Sequence, residues 1–340
     1  MTTEAVEIVL PGIVDPESLQ VTHRRLADPA PGQVRVRMEA TGVSFAEQQM
    51  RRGKYYDQPK FPFVPGYDLV GIVTEVGEGV DPALIGGRFA ALTKTGGWAS
   101  ELLLAAADLI AVPDGIDPAA AEAVLVNGIT AWQMLHRKAK IRTGQTILVL
   151  GATGGVGSTL VQLARNAGVN VIGTASARHQ DAVRALGATP IDYRDDVPAR
   201  VRELAPGGVD AVFDHVGGAG LLDSYRLLAR GGTIVSYGSV STKDEPGASQ
   251  LPMFKLFARV TLWNLLPNGK RAYFYNFWAG LRRRDAFRAK LRTDLGRVFE
   301  QVVDGTLTPQ VAARFPLVEA AAAFRLAESG TVTGKVVLLG

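Results

Sequence analysis

The sequence predicts an α/β protein in which a doubly wound parallel sheet domain is joined to a β-rich domain, and three observations carry that prediction. The first is Thr146-Ile-Leu-Val-Leu-Gly-Ala-Thr-Gly-Gly-Val-Gly157, an apolar strand that passes through a glycine-rich turn straight into a helix. The second is that this helix is stopped by Gly168 and succeeded by a new apolar strand, Asn170-Val-Ile-Gly-Thr174, which completes a βαβ unit. The third is a contrast. Residues 1–124 are rich in Val, Gly and Pro and hold short alternating runs instead of strand–helix repeats.

In the first segment Gln33-Val-Arg-Val-Arg-Met38 and Leu69-Val-Gly-Ile-Val-Thr-Glu-Val76 alternate as half-buried strands do. An alanine-rich helical pattern begins at Ala119 and runs into Gly128-Ile-Thr-Ala-Trp-Gln-Met-Leu135. After the turn, Val156, Leu160, Leu163, Ala164 and Ala167 recur at helical spacing. Val209-Asp-Ala-Val-Phe-Asp214 and Gly232-Thr-Ile-Val-Ser-Tyr237, each beside glycines, extend the parallel sheet, and Arg271-Ala-Tyr-Phe-Tyr-Asn-Phe-Trp278 reads as its last strand. Phe287, Leu291, Leu295 and Phe299 then mark the buried stripe of a helix whose wet face takes Arg282, Arg283, Arg284, Arg288, Lys290 and Arg292. A short amphipathic helix around Val318–Ala327 and the strand Gly334-Lys-Val-Val-Leu-Leu339 end the chain, with no internal repeat.

Composition narrows the function classes. The chain has 340 residues, 47% hydrophobic, enough for two domains with cores of their own. A formal net charge of +4, spread over both halves, gives no reason to expect nucleic acid. The sequence contains no cysteine, which removes disulfides, thiolate nucleophiles and thiolate metal ligands. His23, His136, His179 and His215 make no pair at metal-ligand spacing, so no metal site is expected. The amino terminus lacks the pattern of a secretory leader and no apolar run reaches about 18 residues. The expectation is a cytoplasmic protein with no stable membrane insertion. Leu251–Leu266 is apolar and aromatic but is interrupted by Lys255 and Arg259, and reads as a substrate-site cap or a homodimer contact.

The glycine turn has the chemistry of a phosphate cradle. Gly154, Gly155 and Gly157 remove side chains that would hold a pyrophosphate away, and the main-chain N–H groups of Thr153 through Val156 and the first helical turn face the anion. Ala152 stands where the usual pattern has its first glycine. A ribose 2′-hydroxyl is usually held by an acidic residue about 20 positions further on, but here the strand ends Gly173-Thr-Ala-Ser-Ala-Arg-His179. With no carboxylate there, Ser176 and Arg178 suit a 2′-phosphate and hence NADPH; Arg178 as a solvated helix-start residue is the alternative.

End to end, the chain resembles the medium-chain dehydrogenase/reductase superfamily, in its zinc-free quinone oxidoreductase and enone (enoyl) reductase branch. Val64-Pro-Gly-Tyr-Asp-Leu-Val-Gly-Ile-Val-Thr-Glu-Val-Gly77 is similar to the signature of that family's strand lobe, and Thr41-Gly-Val-Ser-Phe-Ala-Glu47 with Arg52-Gly-Lys-Tyr55 to the segment that reaches the nicotinamide. The resemblance implies a GroES-like catalytic domain over residues 1–124 completed by 279–340, a Rossmann NADPH-binding domain over 125–278, and an active site in the cleft between them. At the positions of the catalytic zinc ligands this sequence reads Ser44, Tyr67 and Val126, and Thr93–Gly97 leads directly to Trp98 where relatives insert a structural zinc lobe.

Without a Lewis acid, hydride transfer suits an acceptor that delocalises its own charge, a quinone or an α,β-unsaturated carbonyl, with a proton from tyrosine or water. The resemblance places Tyr67, Tyr55 and Ser44 at the reacting end. Each tyrosine is read either as a proton donor or as a packed wall residue, and Ser44 stands where quinone reductases commonly have asparagine. The resemblance also puts Asn127, Thr130, Tyr193, His215, Gly238, Ser239 and Lys335 beside the cofactor. Glu47 and Asp68 are expected to pair with nearby arginines and hold loops, with acid–base work as the alternative. A lipophilic small-molecule substrate and a homodimer are the expected partners. A zinc-free carbonyl or biosynthetic enoyl reductase, and a non-catalytic NADPH-binding protein, stay open as alternatives.

Overall fold

The computed structural model describes residues 3–238 and 251–340. Ser239, expected at the cofactor, and residues 241–250 of the connection before the apolar segment lie outside the described residues. The chain forms two compact units, one of residues up to Asn127 together with Arg282–Gly340, the other of Gly128–Leu281.

The first unit opens with the antiparallel pair β1 (Thr3–Val9) and β2 (Gln20–Leu26). Next come β3 (Gln33–Val43), α1 (Phe45–Arg51), β4 (Asp68–Val76), β5 (Arg88–Leu92), β6 (Glu101–Ala105), β7 (Ile110–Ala111) and α2 (Pro118–Trp132). The second unit carries β8 (Thr146–Val149), α3 (Gly155–Asn166), β9 (Asn170–Ala175), α4 (Gln180–Leu186), β10 (Thr189–Asp192) and α5 (Val197–Leu204). It continues through β11 (Val209–Asp214), α6 (Leu221–Arg226), β12 (Leu228–Ser236), α7 (Leu251–Leu265) and β13 (Arg271–Phe274). The chain then returns to the first unit with α8 (Arg284–Val303), β14 (Val311–Pro316), α9 (Ala320–Glu328) and β15 (Lys335–Leu339).

In the second unit six strands stand in the order β10-β9-β8-β11-β12-β13, every neighbouring pair parallel. This is the Rossmann order, and the direction of winding reverses between β8 and β11, where such sheets open a ligand crevice at their carboxyl ends. Ile147, Leu148 and Val149 of β8 and Ala211, Val212 and Phe213 of β11 are all fully buried. A strand covered on both faces needs an unbroken apolar run, which is what the two central strands have.

In the first unit the main sheet runs β14-β15-β3-β4-β5-β7, with β6 also pairing β3. This is the GroES-like lobe. The late strand β15 lies antiparallel against β3, Val336 opposite Val43 and Val337 opposite Gly42. Residues almost 300 positions apart thereby become neighbours, and Trp98, Phe324 and Val36 share one core with Val43 and Val336.

Two expectations change in detail. The last parallel strand ends at Phe274 instead of Trp278, because the Asn276 side chain accepts from the main-chain N–H of Trp278 at 2.9 Å and closes a turn. The amphipathic helix near the end spans Ala320–Glu328, two residues later than the pattern suggests. The apolar segment from Leu251 folds as α7, whose Trp263 stacks on Tyr225 with ring centroids 4.1 Å apart while Leu262 and Leu265 are 59% and 76% exposed. In α8, Phe287, Leu291, Leu295 and Phe299 are buried as the spacing requires, and Arg288 pairs with Asp108 at 2.7 Å. Among the described residues no helix is long and apolar enough to cross a membrane.

Candidate functional site

In the second unit the site is made mostly of main chain. The helix α3 starts at Gly155 with Gly154 as its extended N-cap, and no side chain caps it among the described residues. Its first N–H groups are therefore left for another acceptor. The turn before it is drawn tight by hydrogen bonds from Gly154 N to Gly151 O (3.1 Å), Ala152 N to Thr174 O (2.9 Å) and Gly151 N to Thr174 Oγ1 (3.0 Å). Two glycines have no substitute. A Cβ on Gly157 would lie 2.1 Å from Gly151 O, and Gly151 combines φ +68° with a His215 ring 2.4 Å from where its Cβ would be. Ala152 is tolerated at the first-glycine position because β9 has Gly173 facing it: a Cβ there would lie 2.7 Å from that of Ala152.

Around the end of β9 the structure gathers three of the expected cofactor residues. Ser176 is buried with its hydroxyl 3.3 Å from His179 Nδ1, Arg178 is exposed just after it, and Tyr193 N donates to Ala175 O at 3.1 Å. Arg194 lies over the Tyr193 ring at 5.6 Å. Across the sheet, Gly238 backs onto the His215 carbonyl, where a Cβ would come within 2.6 Å. Thr153, Asn127 and Thr130 are buried; the Asn127 amide donates within its own helix to Ala123 O at 2.9 Å. Asp214 organises the turn after β11 by accepting from Val216 N, Gly217 N (both 2.8 Å) and Ser224 Oγ (2.9 Å).

In the first unit the site is made of side chains. Ser44 caps α1: its hydroxyl accepts from Ala46 N at 3.2 Å, while Glu47 accepts from Ser44 N at 3.0 Å and from the Ser44 hydroxyl. The other Glu47 oxygen accepts from Tyr67 N at 2.7 Å, so one carboxyl fixes both the helix start and the main chain at Tyr67. Burial, together with the nearby Asp68 charge, pushes the Glu47 carboxyl above the usual range against the pull of the Ser44 hydrogen bond. The Tyr67 hydroxyl lies 3.1 Å from that of Tyr55, the rings meeting edge to face at 87°. Burial, and then the neighbouring Tyr67, push the Tyr55 phenol far above its usual range, so it stays protonated.

Behind this pair is a buried charge cluster. The Lys335 ammonium lies 3.0 Å from Asp68 Oδ2 and 2.5 Å from Glu122 Oε1, with all three residues at most 3% exposed. Asp68 Oδ2 also accepts from Val126 N at 3.3 Å, tying α2 to β4. Gly42 is what makes room: a Cβ on it would sit 2.1 Å from Lys335 Cε and 2.3 Å from Glu122 Oε1. Burial and the adjacent Asp68 raise the Glu122 carboxyl well above the carboxylate range despite Lys335. Burial works against the Lys335 charge, but Asp68 and Glu122 hold it cationic above its usual range.

The expectation that Glu47 and Asp68 pair with arginines is corrected: Glu47 holds Ser44 and the main chain of Tyr67, and Asp68 pairs with Lys335. Lys335, expected at the cofactor, has its ammonium engaged by Asp68 and Glu122. Glu122 escapes a motif search, although a lone carboxylate inside the apolar run Ala119–Val126 is a signal that it has a buried partner.

Comparison with known proteins bears on this arrangement. A family model described as alcohol dehydrogenase GroES-like domain matches residues 30–114, and one described as zinc-binding dehydrogenase matches residues 186–338. The human synaptic vesicle membrane protein VAT-1 homolog is 35% identical over 262 residues, 76% of this chain; the matched stretch spans 65% of that protein, less than two thirds of its length. A mycobacterial protein solved in complex with NADPH superposes with a TM-score of 0.82 at 26% identity, covering 99% of this chain and 100% of its own. A quinone oxidoreductase of Pseudomonas syringae superposes with a TM-score of 0.83 at 28% identity, again over 99% and 100%. In both of these domain models, and over nearly its whole length in these structures, the chain is similar to the quinone oxidoreductases of the medium-chain dehydrogenase/reductase superfamily.

Proposed function

We propose that the protein is an NADPH-dependent oxidoreductase that reduces a conjugated carbonyl compound, a quinone or an α,β-unsaturated ketone, without a protein-bound metal ion. The observation that carries this reading is the phenol pair, Tyr55 Oη 3.1 Å from Tyr67 Oη, at a position where zinc-dependent relatives have a metal ligand. The residues of the second unit fit the cofactor. The Gly151–Gly157 turn needs glycine at both ends and opens on a helix start that no side chain caps among the described residues, and Ser176 and Arg178 at the end of β9 suit a 2′-phosphate. The mycobacterial relative solved with NADPH supports the same cofactor, and the Pseudomonas quinone oxidoreductase supports the acceptor class.

Bound NADPH supplies the hydride. The protein's part is position and one proton. Tyr67, with its main chain fixed by Glu47, donates a hydrogen bond to the acceptor oxygen and passes its proton there as charge develops; water restores that proton through the Tyr55 hydroxyl, which gives one proton and takes another in the same step and so stays neutral, as burial requires. Ser44, its hydroxyl committed to Glu47, orients the group and is not the acid. We assign catalysis to the unit containing Tyr67 and cofactor binding to the Gly128–Leu281 unit. We further assign a lipophilic substrate and a homodimer, the latter on the exposed Leu262 and Leu265 of α7.

The test is NADPH oxidation followed by its absorbance with a panel of quinones and enones, with the product analysed for reduction at C=C or C=O. Turnover of at least one conjugated acceptor and none of a saturated ketone is expected. Tight NADPH binding with no turnover on any member would replace this reading with that of a cofactor-binding protein.

A further inference from the structure

The turn after β5 holds a strained residue. It is zipped onto the segment just before β4: Thr93 N and Lys94 N both donate to Tyr67 O, at 2.9 and 3.1 Å, Gly96 N donates to Val64 O at 2.8 Å, and Trp98 N to Pro65 O at 2.9 Å. Lys94 sits in this turn at φ +66°, in the left-handed region. Glycine takes that conformation with less strain, and the same turn uses it two residues later, with Gly96 at φ +94°. For the backbone alone, glycine or asparagine would serve better at position 94, so the reason for lysine lies in its side chain.

That side chain reaches the loop between α1 and β4. The Lys94 ammonium pairs with Asp57 Oδ2, two residues past Tyr55. Tyr55 has its hydroxyl 3.1 Å from that of Tyr67 and its ring 4.6 Å from that of Tyr56. The same loop is tied to α1, where Lys54 N donates to Gln49 O at 2.9 Å and Gln58 Nε2 to Met50 O at 3.1 Å. Lys94 thereby closes a ring: its N–H holds the Tyr67 carbonyl, its ammonium holds Asp57, the chain leads back to Tyr55, and the Tyr55 hydroxyl meets that of Tyr67. A hydrogen bond fails when its partners part by about half an ångström, so the contact of the two phenols depends on an anchor close to Tyr55.

We propose that Lys94 and Asp57 are a positioning pair for the tyrosine relay, a latch that braces the loop carrying Tyr55 against the turn that holds the Tyr67 main chain. The inference rests on the reading of Tyr67 as proton donor and Tyr55 as its route of resupply. Both residues act through Tyr55. Their side chains are 32% and 60% exposed, so the latch is weakened by salt.

The experiment compares wild type with Lys94→Asn, which suits the left-handed backbone but lacks the charge, and with the exchanged pair Lys94→Asp/Asp57→Lys. Hydrogen exchange of the amides of residues 52–58 reads the latch, and kcat with NADPH and menadione reads its use. In Lys94→Asn the melting temperature should hold, loop exchange should speed up roughly two- to fivefold, and kcat should fall by a similar factor with the dissociation constant for NADPH unmoved. The exchanged pair should recover most of both effects. Salt at about 1 M should bring wild type towards the variant and leave the variant where it was. Loop exchange or kcat equal to wild type in Lys94→Asn overturns the proposal, as does a loss that the exchanged pair leaves in place. Tyr67→Phe keeps the two readings apart. A wild-type rate in that variant brings down the tyrosine relay and the latch with it, whereas a slow Tyr67→Phe beside an unaltered Lys94→Asn brings down the latch alone. The exchange measurement needs no substrate, so it decides the latch whichever acceptor the protein takes. Should Lys94→Asn fold poorly, Asp57→Asn deletes the same pair from its more exposed side and is held to the same outcomes.

Discussion

The two units solve the problem of a functional site in opposite ways. In the Gly128–Leu281 unit, polar contacts come chiefly from the main chain and the informative residues are consecutive: Gly151 through Gly157 make the turn, the N-cap and the close approach within one local segment. In the other unit they come from side chains scattered along the chain, with Ser44, Glu47, Tyr55, Tyr67, Asp68, Glu122 and Lys335 arriving from α1, β4, α2, β15 and the segment between α1 and β4. A main-chain site needs only glycine and a helix start. A side-chain site needs burial, and buried charge must then be balanced by further charge.

The sharpest break in that contrast is Lys335→Met. It removes the cation of the cluster while keeping a similar volume, leaving Asp68 and Glu122 buried without it. Denaturant unfolding should show a loss of about 3–5 kcal/mol, partly recovered when Asp68→Asn is added, since Asp68 is the carboxylate left without its cation. Unchanged stability would mean that water reaches these carboxylates.

Next in size is Tyr67→Phe. Main-chain donation to Glu47 is retained, so packing should hold while kcat on an enone or quinone falls roughly tenfold to several hundredfold. The dissociation constant for NADPH should not move. A wild-type rate would make Tyr67 a wall residue and leave the proton to Tyr55 or water.

The corresponding change in the main-chain unit is milder because one side chain adds to an existing cradle. Arg178→Ala should raise the dissociation constant for NADPH about tenfold and that for NADH less than about twofold, since only the former carries the 2′-phosphate. Equal effects on both cofactors would return Arg178 to a solvated helix start.

The smallest effect separates the cluster's two carboxyls. Glu122 holds its proton more tightly in the folded protein than in the unfolded chain, so its contribution to stability is complete below the ordinary glutamate pKa and is lost as pH rises through the raised value. Glu122→Gln imitates the protonated form. At about pH 5 the variant should match wild type within about 1 kcal/mol, and with rising pH it should become the more stable of the two. A difference that does not change with pH would show that Glu122 is ionised throughout, paired with Lys335.

Legibility in the sequence divides along the same line. The turn, its helix, the succession of parallel strands and the lack of an acidic residue at the end of β9 can be read directly, because each depends on neighbours in sequence. Trp278 misleads because a strand-like apolar run continues past the Asx turn at Asn276, which depends on one side chain's geometry. In the first unit Ser44, Tyr55 and Tyr67 are reached only through resemblance. The partners of Glu47 and Asp68 were not legible, since pairing with a lysine on β15 depends on the register of that strand against β3.

Gly42 carries a consequence in the language of the genetic code. Every codon one base away from glycine's that still encodes an amino acid either leaves glycine unchanged or adds a side chain, and the smallest of these additions collides with the aliphatic end of Lys335. A step away from glycine at codon 42 therefore asks the flexible ends of Lys335 and Glu122 to move, and with them an ion pair that the fold keeps buried. The histories of codons 42, 122 and 335 are tied together across a gap the size of one methyl group.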